Sequence, residues 1–543
     1  MKNIKFLVII YFLAMIMFCI KPTYAKYVIK TETPMKVTIS VDKKGPTVQA
    51  KDINSTSISN NGTATEKITI SYSDNLSGIK SVTYKYNSSQ KNFSNIQTKT
   101  LKNNTTFTDK GWYEITAIDK VGNKTVMYIY VDWAVARINQ VYYRKLEYAI
   151  NAVPANNIKT TIVMLRNVSE VNTIPNKKNI LLDIDKKTIT GSFTINAGGT
   201  LDVEDGTVNN TSQSATFTNN GTLRVKNGTY TSKNSKTIVV NSGTVNISGG
   251  IIQNTSSQNT IVQNGGIINI SGGNIKNLGT GVILKIDGGT CNLSSGNYET
   301  NHYFFDIGSK GTLNLKGITI ETERHIFTSA GIVNFSSGTL IGTNGNPIYL
   351  SGGTMTVSGG TINMTDKGNS DLIALGSNAT LKVTGGTIEN ASTNLPDSDV
   401  GWATISSSGK VVVSNNAIIR NTGNGRAIIA FGGNVTISGG SMMSKGANDE
   451  GGTVELWSGT LTMSGGTIES ISPETWAVLT SGNSNISNGT IKNTSSGIGL
   501  CISGGTTKIT GGTFSSASGN AIERRDGNVT ISGAKINGRT SGI

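Results

Sequence analysis

Alternating apolar and polar residues recur in short runs through most of the chain. Residues 245–252 (Val-Asn-Ile-Ser-Gly-Gly-Ile-Ile) and 461–468 (Leu-Thr-Met-Ser-Gly-Gly-Thr-Ile) follow one template, in which a Ser-Gly-Gly turn separates two such segments. Alternation with a period of two residues predicts β-strands. The last apolar residue of each run marks a repeat of about 23 residues. The markers are Ile189, Val208, Tyr230, Ile252, Ile275, Tyr298, Ile320, Leu340, Ile362, Ile388, Ile418, Met442, Ile468, Ile491, Phe514 and Ile536.

Each repeat holds three short strands, and no helical pattern lies between them. A repeat of this length with three strands predicts a parallel β-helix, here over residues 191–543 with about 16 coils. A leucine-rich repeat has a similar period but needs a helix or a fixed leucine spacing, which the sequence lacks. The chain has 65 glycines, and those of the repeats fall where the backbone must turn sharply or take positive φ.

A different alternating pattern covers residues 26–132. Its strand-like runs are residues 67–73, 81–87, 112–118 and 125–131, and they are separated by turns rich in Asn, Gly and Asp. This pattern predicts a β-sandwich of about 100 residues. The fold class is therefore all-β, with a sandwich ahead of the solenoid.

Helical spacing occurs once, within residues 133–190. Tyr143, Leu146, Ala149, Ile150 and Val153 recur at intervals of three and four, directly before a proline. They predict a short amphipathic helix that caps the open first coil of the solenoid. Strand-like runs at 161–165, 178–184 and 187–191 follow it as the first coils.

Residues 1–25 have the form of a secretory signal peptide. Two lysines precede an apolar run of 15 residues, and Thr23-Tyr24-Ala25 suits signal peptidase. The alternative is an uncleaved anchor, but 15 residues are short for a bilayer span of about 20. We expect a secreted protein, extracellular or associated with the cell wall, without a membrane segment after cleavage. Cys291 and Cys501 lie too many coils apart to form a disulfide.

Two parts of the chain resemble known families. Residues 74–79 (Asp-Asn-Leu-Ser-Gly-Ile), 111–123 and the Gly-Pro-Thr-Val of 45–48 resemble the bacterial immunoglobulin-like modules of Gram-positive surface proteins. The repeats, with residues 146–154 (Leu-Glu-Tyr-Ala-Ile-Asn-Ala-Val-Pro) ahead of them, are similar to the pectin-lyase-like right-handed parallel β-helix. The first resemblance implies a spacer or adhesive unit. The second implies a fold that carries lyases, hydrolases, esterases and non-catalytic adhesins.

Charge is unevenly distributed along the chain, whose formal net charge is +15. Residues 26–190 hold 24 Lys and Arg against 13 Asp and Glu, whereas residues 191–543 hold 21 against 20. Because an export signal precedes the basic part, nucleic acid is not expected as a partner. We expect residues 26–190 to contact an anionic cell-wall polymer.

The sequence lacks the motifs of the polysaccharide-cleaving enzymes on this fold. There is no Asn-Thr-Asp motif, no Asp-Asp pair and no Gly-His-Gly. The two histidines, His302 and His325, are one coil apart. Four carboxylates lie near them in the sequence, and together these six residues could form a metal or acid-base site. The carboxylates are those of Glu299, Asp306, Glu321 and Glu323. The simpler interpretation, an exposed edge with incidental charges, is favoured. Asp74 and Asp119 could bind Ca²⁺, but the favoured interpretation is that they bond their own turns.

A candidate binding edge lies where the coils are longest. Insertions at 366–371, 391–400 and 445–452 occur in neighbouring coils and should project from one edge. The residues between 362 and 476 are more acidic than basic and include three tryptophans. Acidic residues beside exposed aromatics suit a sugar or Ca²⁺, although tolerated surface variation with packed Trp rings is the favoured alternative. The candidate residues are Asp366, Asp371, Asp397, Asp399, Trp402, Asp449, Glu450, Trp457 and Trp476.

One polar position repeats without interruption across five coils. It is occupied by Asn246, Asn269, Asn292, Asn314 and Asn334, each of which stands between two inward apolar residues. We expect these side chains, the asparagine column, to line one outer face and to bond to one another along the solenoid. Such a face could also bind glycans.

These observations favour a non-catalytic secreted or cell-surface protein that displays a β-helical rod for adhesion to an extracellular glycan or a host or matrix surface. The alternative is a polysaccharide lyase or glycoside hydrolase that uses carboxylates of the long coils. The missing catalytic motifs favour the first.

Overall fold

A computed structural model describes residues 40–394, 402–445 and 451–541. The chain divides into two compact units. The first extends to Ala152 and includes Ile162–Arg166, and the second comprises Val153–Thr161 and the chain from Asn167 onward. The described residues include one helix, α1 (Leu146–Ala152), and no helix among them is long and apolar enough to cross a membrane.

The first unit is built on two β-sheets. The strands of these sheets are β1 (Thr47–Asp52), β2 (Gly62–Thr65), β3 (Ile68–Ser73), β4 (Ile79–Asn87), β5 (Lys99–Thr100), β6 (Thr105–Phe107), β7 (Gly111–Asp119) and β8 (Lys124–Asp132). The antiparallel pair β9 (Ala136–Ile138) and β10 (Val141–Tyr143) follows and belongs to neither sheet. One sheet has the order β1-β3-β6 and the other the order β2-β8-β7-β4-β5. Both sheets contribute to one apolar core, which confirms the sandwich expected from the alternation.

The core of this sandwich follows directly from the period of two. In β7 every second residue is buried, so Tyr113, Ile115 and Ala117 face inward between half-exposed neighbours. Ile70 of β3 and Ile129 of β8 are likewise fully buried. Burial of each such Ile side chain contributes about 1.5–3 kcal/mol. The predicted strands correspond to β3, β4, β7 and β8, whereas β1, β2, β5 and β6 were not predicted.

Helix α1 confirms the predicted amphipathic helix, with Leu146, Ala149 and Ile150 buried. The strands that follow are β11 (Lys159–Met164), β12 (Val168–Ile174), β13 (Asn179–Asp183) and β14 (Thr188–Ile195). Three of them match the predicted runs. β12 was not predicted, because its sequence Val-Ser-Glu-Val-Asn-Thr-Ile has too few apolar residues to stand out.

The second unit is a β-solenoid of about 16 coils with a period of about 23 residues, as the repeats predict. Its further strands are β15 (Thr200–Glu204), β16 (Thr207–Asn210), β17 (Phe217–Asn219), β18 (Thr222–Val225), β19 (Thr229–Ser232), β20 (Ile238–Val240), β21 (Thr244–Ile247), β22 (Ile251–Asn254), β23 (Ile261–Gln263), β24 (Ile267–Asn277), β25 (Leu284–Thr300), β26 (Phe305–Thr322), β27 (Phe327–Ser329), β28 (Ile332–Gly342), β29 (Ile348–Met364), β30 (Ile373–Asn390), β31 (Ile405–Ser407), β32 (Lys410–Val413), β33 (Ile418–Asn421), β34 (Ile428–Ala430), β35 (Asn434–Ser444), β36 (Gly452–Leu456), β37 (Thr460–Ser470), β38 (Trp476–Thr480), β39 (Asn483–Asn493), β40 (Ile498–Ile509), β41 (Thr513–Ile531) and β42 (Lys535–Ser541).

Successive coils pair in parallel and in register. Val245 pairs with Ile268, and Ile252 pairs with Ile275, so inward apolar residues stack into columns. Cys291 and Cys501 are buried, and neither forms a disulfide, as expected. Burial raises the pKa of the Cys291 thiol.

The register corrects one predicted marker. Ile388 pairs with Ile419, which is fully buried, whereas Ile418 pairs with Thr387 and is 40% exposed. Adjacent isoleucines are equally apolar, so hydrophobicity alone cannot decide which of them faces inward. The coil that ends here is one residue longer than the sequence suggested, and the next is one shorter.

A second set of asparagines lies inside the turns. Asn254 and Asn277, neighbours in successive coils, are fully buried. The amide of Asn277 donates to the carbonyl oxygen of Gln258 at 2.9 Å, and its Oδ1 accepts from the N–H of Gly279 at 3.1 Å. These side chains therefore satisfy turn backbone that the strand pairing leaves unpaired.

Candidate binding face on the long coils

The exposed pair Phe431 and Trp457 forms the centre of the candidate site. Each residue directly follows a strand, β34 for Phe431 and β36 for Trp457, and these strands pair in register. The N–H of Trp457 donates to the carbonyl oxygen of Ala430 at 2.9 Å, so the two residues occupy the same position in successive coils. Their ring centroids are 5.1 Å apart at an interplanar angle of 82°. Phe431 is 45% exposed and Trp457 55%. We call this pair the aromatic platform.

The indole of Trp457 is anchored by a buried carboxylate. Its Nε1 donates a 2.6 Å hydrogen bond to Oε1 of Glu455. The other oxygen of Glu455 accepts from Nε of Arg426 and from the N–H of Gly452. Glu455 and Arg426 are each only 4% exposed. The ring orientation is therefore fixed by a carboxylate whose other oxygen is held by Arg426 and Gly452.

Asp371 lies within electrostatic range of the same arginine. Its Oδ1 accepts the N–H of Ala403 at 2.8 Å. Burial raises the pKa of Asp371, and this effect outweighs the lowering by the Ser406 hydroxyl, the Ala403 N–H and the charge of Arg426. A raised pKa favours the protonated form of this carboxyl group.

The other predicted residues are placed differently. Trp402 is half-buried, and its Nε1 is buried without a hydrogen-bond partner among the described residues. Trp476 is 4% exposed and stands under the Arg525 guanidinium at 5.0 Å, so it offers no open ring face to a ligand. Asp366 is exposed, and its carbonyl accepts from Thr393. Asp397, Asp399, Asp449 and Glu450 lie outside the described residues.

Of the predicted residues, the structure places Trp457 against Phe431 and Glu455. It places Asp371 within electrostatic range of Arg426, which pairs with Glu455. Sequence reasoning did not select Phe431, Arg426 or Glu455. Phe431 could have been found from sequence, because it follows inward Ile428 and Ala430 just as Trp457 follows inward Val454 and Leu456. Arg426 and Glu455 could not, because a charged residue next to inward apolar residues normally predicts an exposed position.

The two histidines do stack on neighbouring coils. The ring of Tyr303 contacts both, with centroid distances of 4.1 Å to His302 and 4.6 Å to His325. Burial lowers the pKa of His325, and the charge of His302 lowers it further. Glu299 forms an ion pair with Lys276 at 2.7 Å, so its carboxylate is already engaged outside the histidine cluster.

A group of three carboxylates lies in the first unit. Oxygens of Asp42, Asp74 and Asp119 lie within 4.8 Å of one another. Asp74 accepts the N–H of Gly78 at 2.6 Å, and Asp119 accepts the N–H of Gly122 at 2.6 Å. These hydrogen bonds confirm that Asp74 and Asp119 organise their own turns.

The asparagine column is confirmed in detail. Asn269 donates to Asn246 at 2.8 Å, Asn292 to Asn269 at 2.8 Å, Asn314 to Asn292 at 2.7 Å and Asn334 to Asn314 at 2.8 Å. All five side chains are half-buried on the outer face.

No family model, curated protein or solved structure matches the chain. The functional interpretation therefore depends on the geometry of the chain itself.

Proposed function

We propose that this is a non-catalytic secreted or cell-surface protein that binds an extracellular glycan through the aromatic platform. The observation that carries the proposal is the anchoring of Trp457 by Glu455. An aromatic ring that is exposed yet held in one orientation loses little conformational freedom when a sugar ring stacks on it. Exposed aromatics without such an anchor are ordinary surface features.

The wider assignment rests on the sequence. The signal-like residues 1–25 support export, and the motifs of residues 26–132 support an immunoglobulin-like module of the Gram-positive type. The repeats support a pectin-lyase-like β-helix that displays its binding face to a glycan or to a host or matrix surface. The basic residues of 26–190 support retention on an anionic cell-wall polymer, which added salt should weaken.

A glycan array probed with the secreted chain tests the platform. We expect Trp457→Ala to reduce binding by about tenfold or more, because an aromatic side chain at the centre of a binding site often contributes much of the binding energy. Tyr349→Ala is the matched control, because Tyr349 is an exposed aromatic on another coil. Equal loss in both variants, or no glycan bound by the unmodified chain, would contradict the proposal.

A polysaccharide lyase or hydrolase is the second candidate, and the raised pKa of Asp371 favours it. A general acid needs a carboxyl group that stays protonated near the working pH. Incubation with acidic and neutral polysaccharides distinguishes the two candidates. Release of reducing or unsaturated ends that Asp371→Asn abolishes would establish an enzyme, whereas binding without product favours the first proposal.

A further inference from the structure

A shallow, open groove of about 580 Å³ extends over four successive coils of the solenoid, far along the chain from the aromatic platform. Its floor is the turn between the second and third strands of each coil. This floor consists of Gly228, Gly249, Gly250, Gly272, Gly273 and Gly296. One wall is formed by Thr229, Ile251, Asn274 and Asn297, which pair with one another in register.

The floor cannot be filled by side chains. Gly250 and Gly273 have φ values of 83° and 92°, which non-glycine residues rarely adopt. A Cβ at Gly249 would lie 2.0 Å from the carbonyl oxygen of Lys226 in the preceding coil. The groove is therefore a fixed part of the fold in these coils.

The lining is uncharged and rich in hydrogen-bonding groups. No Lys, Arg, Asp or Glu is among the lining residues. Lys276 of β24 and Glu299 of β25, each two residues beyond a wall asparagine, form an ion pair with each other. The amide of Asn297 donates to Oδ1 of Asn274 at 2.9 Å, which leaves further amide donor and acceptor capacity on each residue.

These groups repeat with the spacing of the coils. Neighbouring strands lie about 4.8 Å apart, so Thr229, Asn274 and Asn297 offer side-chain donors and acceptors in three of the four coils, with the apolar Ile251 in the remaining one. The asparagine column lies on the strand that precedes the same turn and has the same step. An extended chain of β-linked sugars advances by a similar distance per residue and presents hydroxyl groups on both edges.

We propose that this groove binds an extended, uncharged polysaccharide chain that lies along the solenoid axis with about one sugar per coil. An anionic polymer would find no countercharge there. The groove and the aromatic platform are separate sites, so either can fail without the other.

Calorimetric titration of the secreted chain with neutral oligosaccharides of increasing length tests the proposal. The probes are cello-, xylo-, manno- and laminari-oligosaccharides, with oligogalacturonates as the charged comparison. For at least one neutral series we expect affinity to rise up to about four sugars, the number of coils in the groove, and then to level off. Oligogalacturonates should bind more weakly.

The variant Asn274→Trp should block the groove and weaken neutral binding by about tenfold or more. Thr490→Trp is the matched control. Thr490 precedes the inward residue Ile491 just as Asn274 precedes the inward residue Ile275. The turn before Thr490 lies outside the groove and carries the side chain of Asn488 in place of one glycine of the pair. Circular dichroism and thermal midpoints should be alike for the two variants.

The proposal is overturned if no neutral series binds, if Asn274→Trp binds as well as Thr490→Trp, or if affinity does not depend on chain length. If Trp457→Ala no longer binds the neutral oligosaccharides, their binding belongs to the aromatic platform, and the groove proposal is likewise overturned. Unchanged groove binding in Trp457→Ala, with glycan-array binding lost, supports both sites.

Discussion

Arg426 and Glu455 form an ion pair in which each side chain is only 5% exposed. The pair joins two coils of the solenoid, and its carboxylate also holds the indole of Trp457. Two buried charges are tolerated only while each compensates the other. The stability of these coils and the orientation of the platform therefore depend on the same carboxylate.

Glu455→Gln should destabilise the solenoid by about 3–5 kcal/mol, because it leaves the Arg426 charge buried without a countercharge. The double variant Arg426→Met with Glu455→Leu should recover most of that loss, because it removes both charges. Chemical unfolding followed by circular dichroism measures both. Near-native stability of Glu455→Gln would show that water reaches the guanidinium.

Two neighbouring glycines should respond differently to substitution by alanine. Gly433 has a φ of 72°, and a Cβ there would lie 2.0 Å from the carbonyl oxygen of Gly409. Gly432 has only the Ser458 hydroxyl near its Cβ position, at 3.7 Å. We expect Gly433→Ala to cost more than about 2 kcal/mol and Gly432→Ala less than about 0.5 kcal/mol. Thermal midpoints of the two variants provide the comparison, and similar values would contradict it.

Asparagines in the middle of the asparagine column should matter more than those at its ends. Asn292 both donates to Asn269 and accepts from Asn314, whereas Asn246 only accepts within the column. A hydrogen bond contributes about 0.5–1.5 kcal/mol. Asn292→Ala should therefore lower the free energy of unfolding by about twice as much as Asn246→Ala in chemical denaturation. Equal effects would mean that the amides act independently.

Acidification should weaken the coils around His325. Its pKa in the folded chain is lowered below the ordinary value of 6.5, so the unfolded chain binds a proton more readily. The folding stability that is present above pH 6.5 is lost as the pH falls from 6.5 through the pKa of His325 in the folded chain. Histidine NMR titration and thermal midpoints across this range measure the effect. His325→Asn should flatten the dependence, and a folded pKa at or above 6.5 would contradict the prediction.

The solenoid was predictable because its evidence is repeated in every coil. The period, the inward columns and the asparagine column each rest on many equivalent positions, so a single ambiguous residue changes little. Ile418 illustrates the limit: one marker was off by a residue, yet the period stayed correct. In the first unit, β5 and β6 span only two and three residues and carry too little alternation to be recognised.

The candidate site was less predictable because burial of individual side chains depends on how longer coils pack. Trp457 was selected and is exposed, whereas Trp476 was selected by the same reasoning and is buried. The difference lies in their positions: Trp457 follows its strand, and Trp476 begins one and points into the coil. Arg426 and Glu455 were missed because only the folded chain places their opposite charges together.

The hydrogen bonds of the asparagine column all point the same way, with each amide donating toward the N-terminal coil. Their dipoles add, as peptide dipoles do in a helix, which places a partial positive end at Asn246 and a partial negative end at Asn334. The next position beyond Asn246 is Arg224, whose charge is balanced by Asp202 at 2.9 Å. Beyond Asn334 the column continues through Thr356 to Lys382. This uncharged face is therefore electrically polarised along the solenoid, and its two ends are chemically distinguishable to any molecule that lies on it.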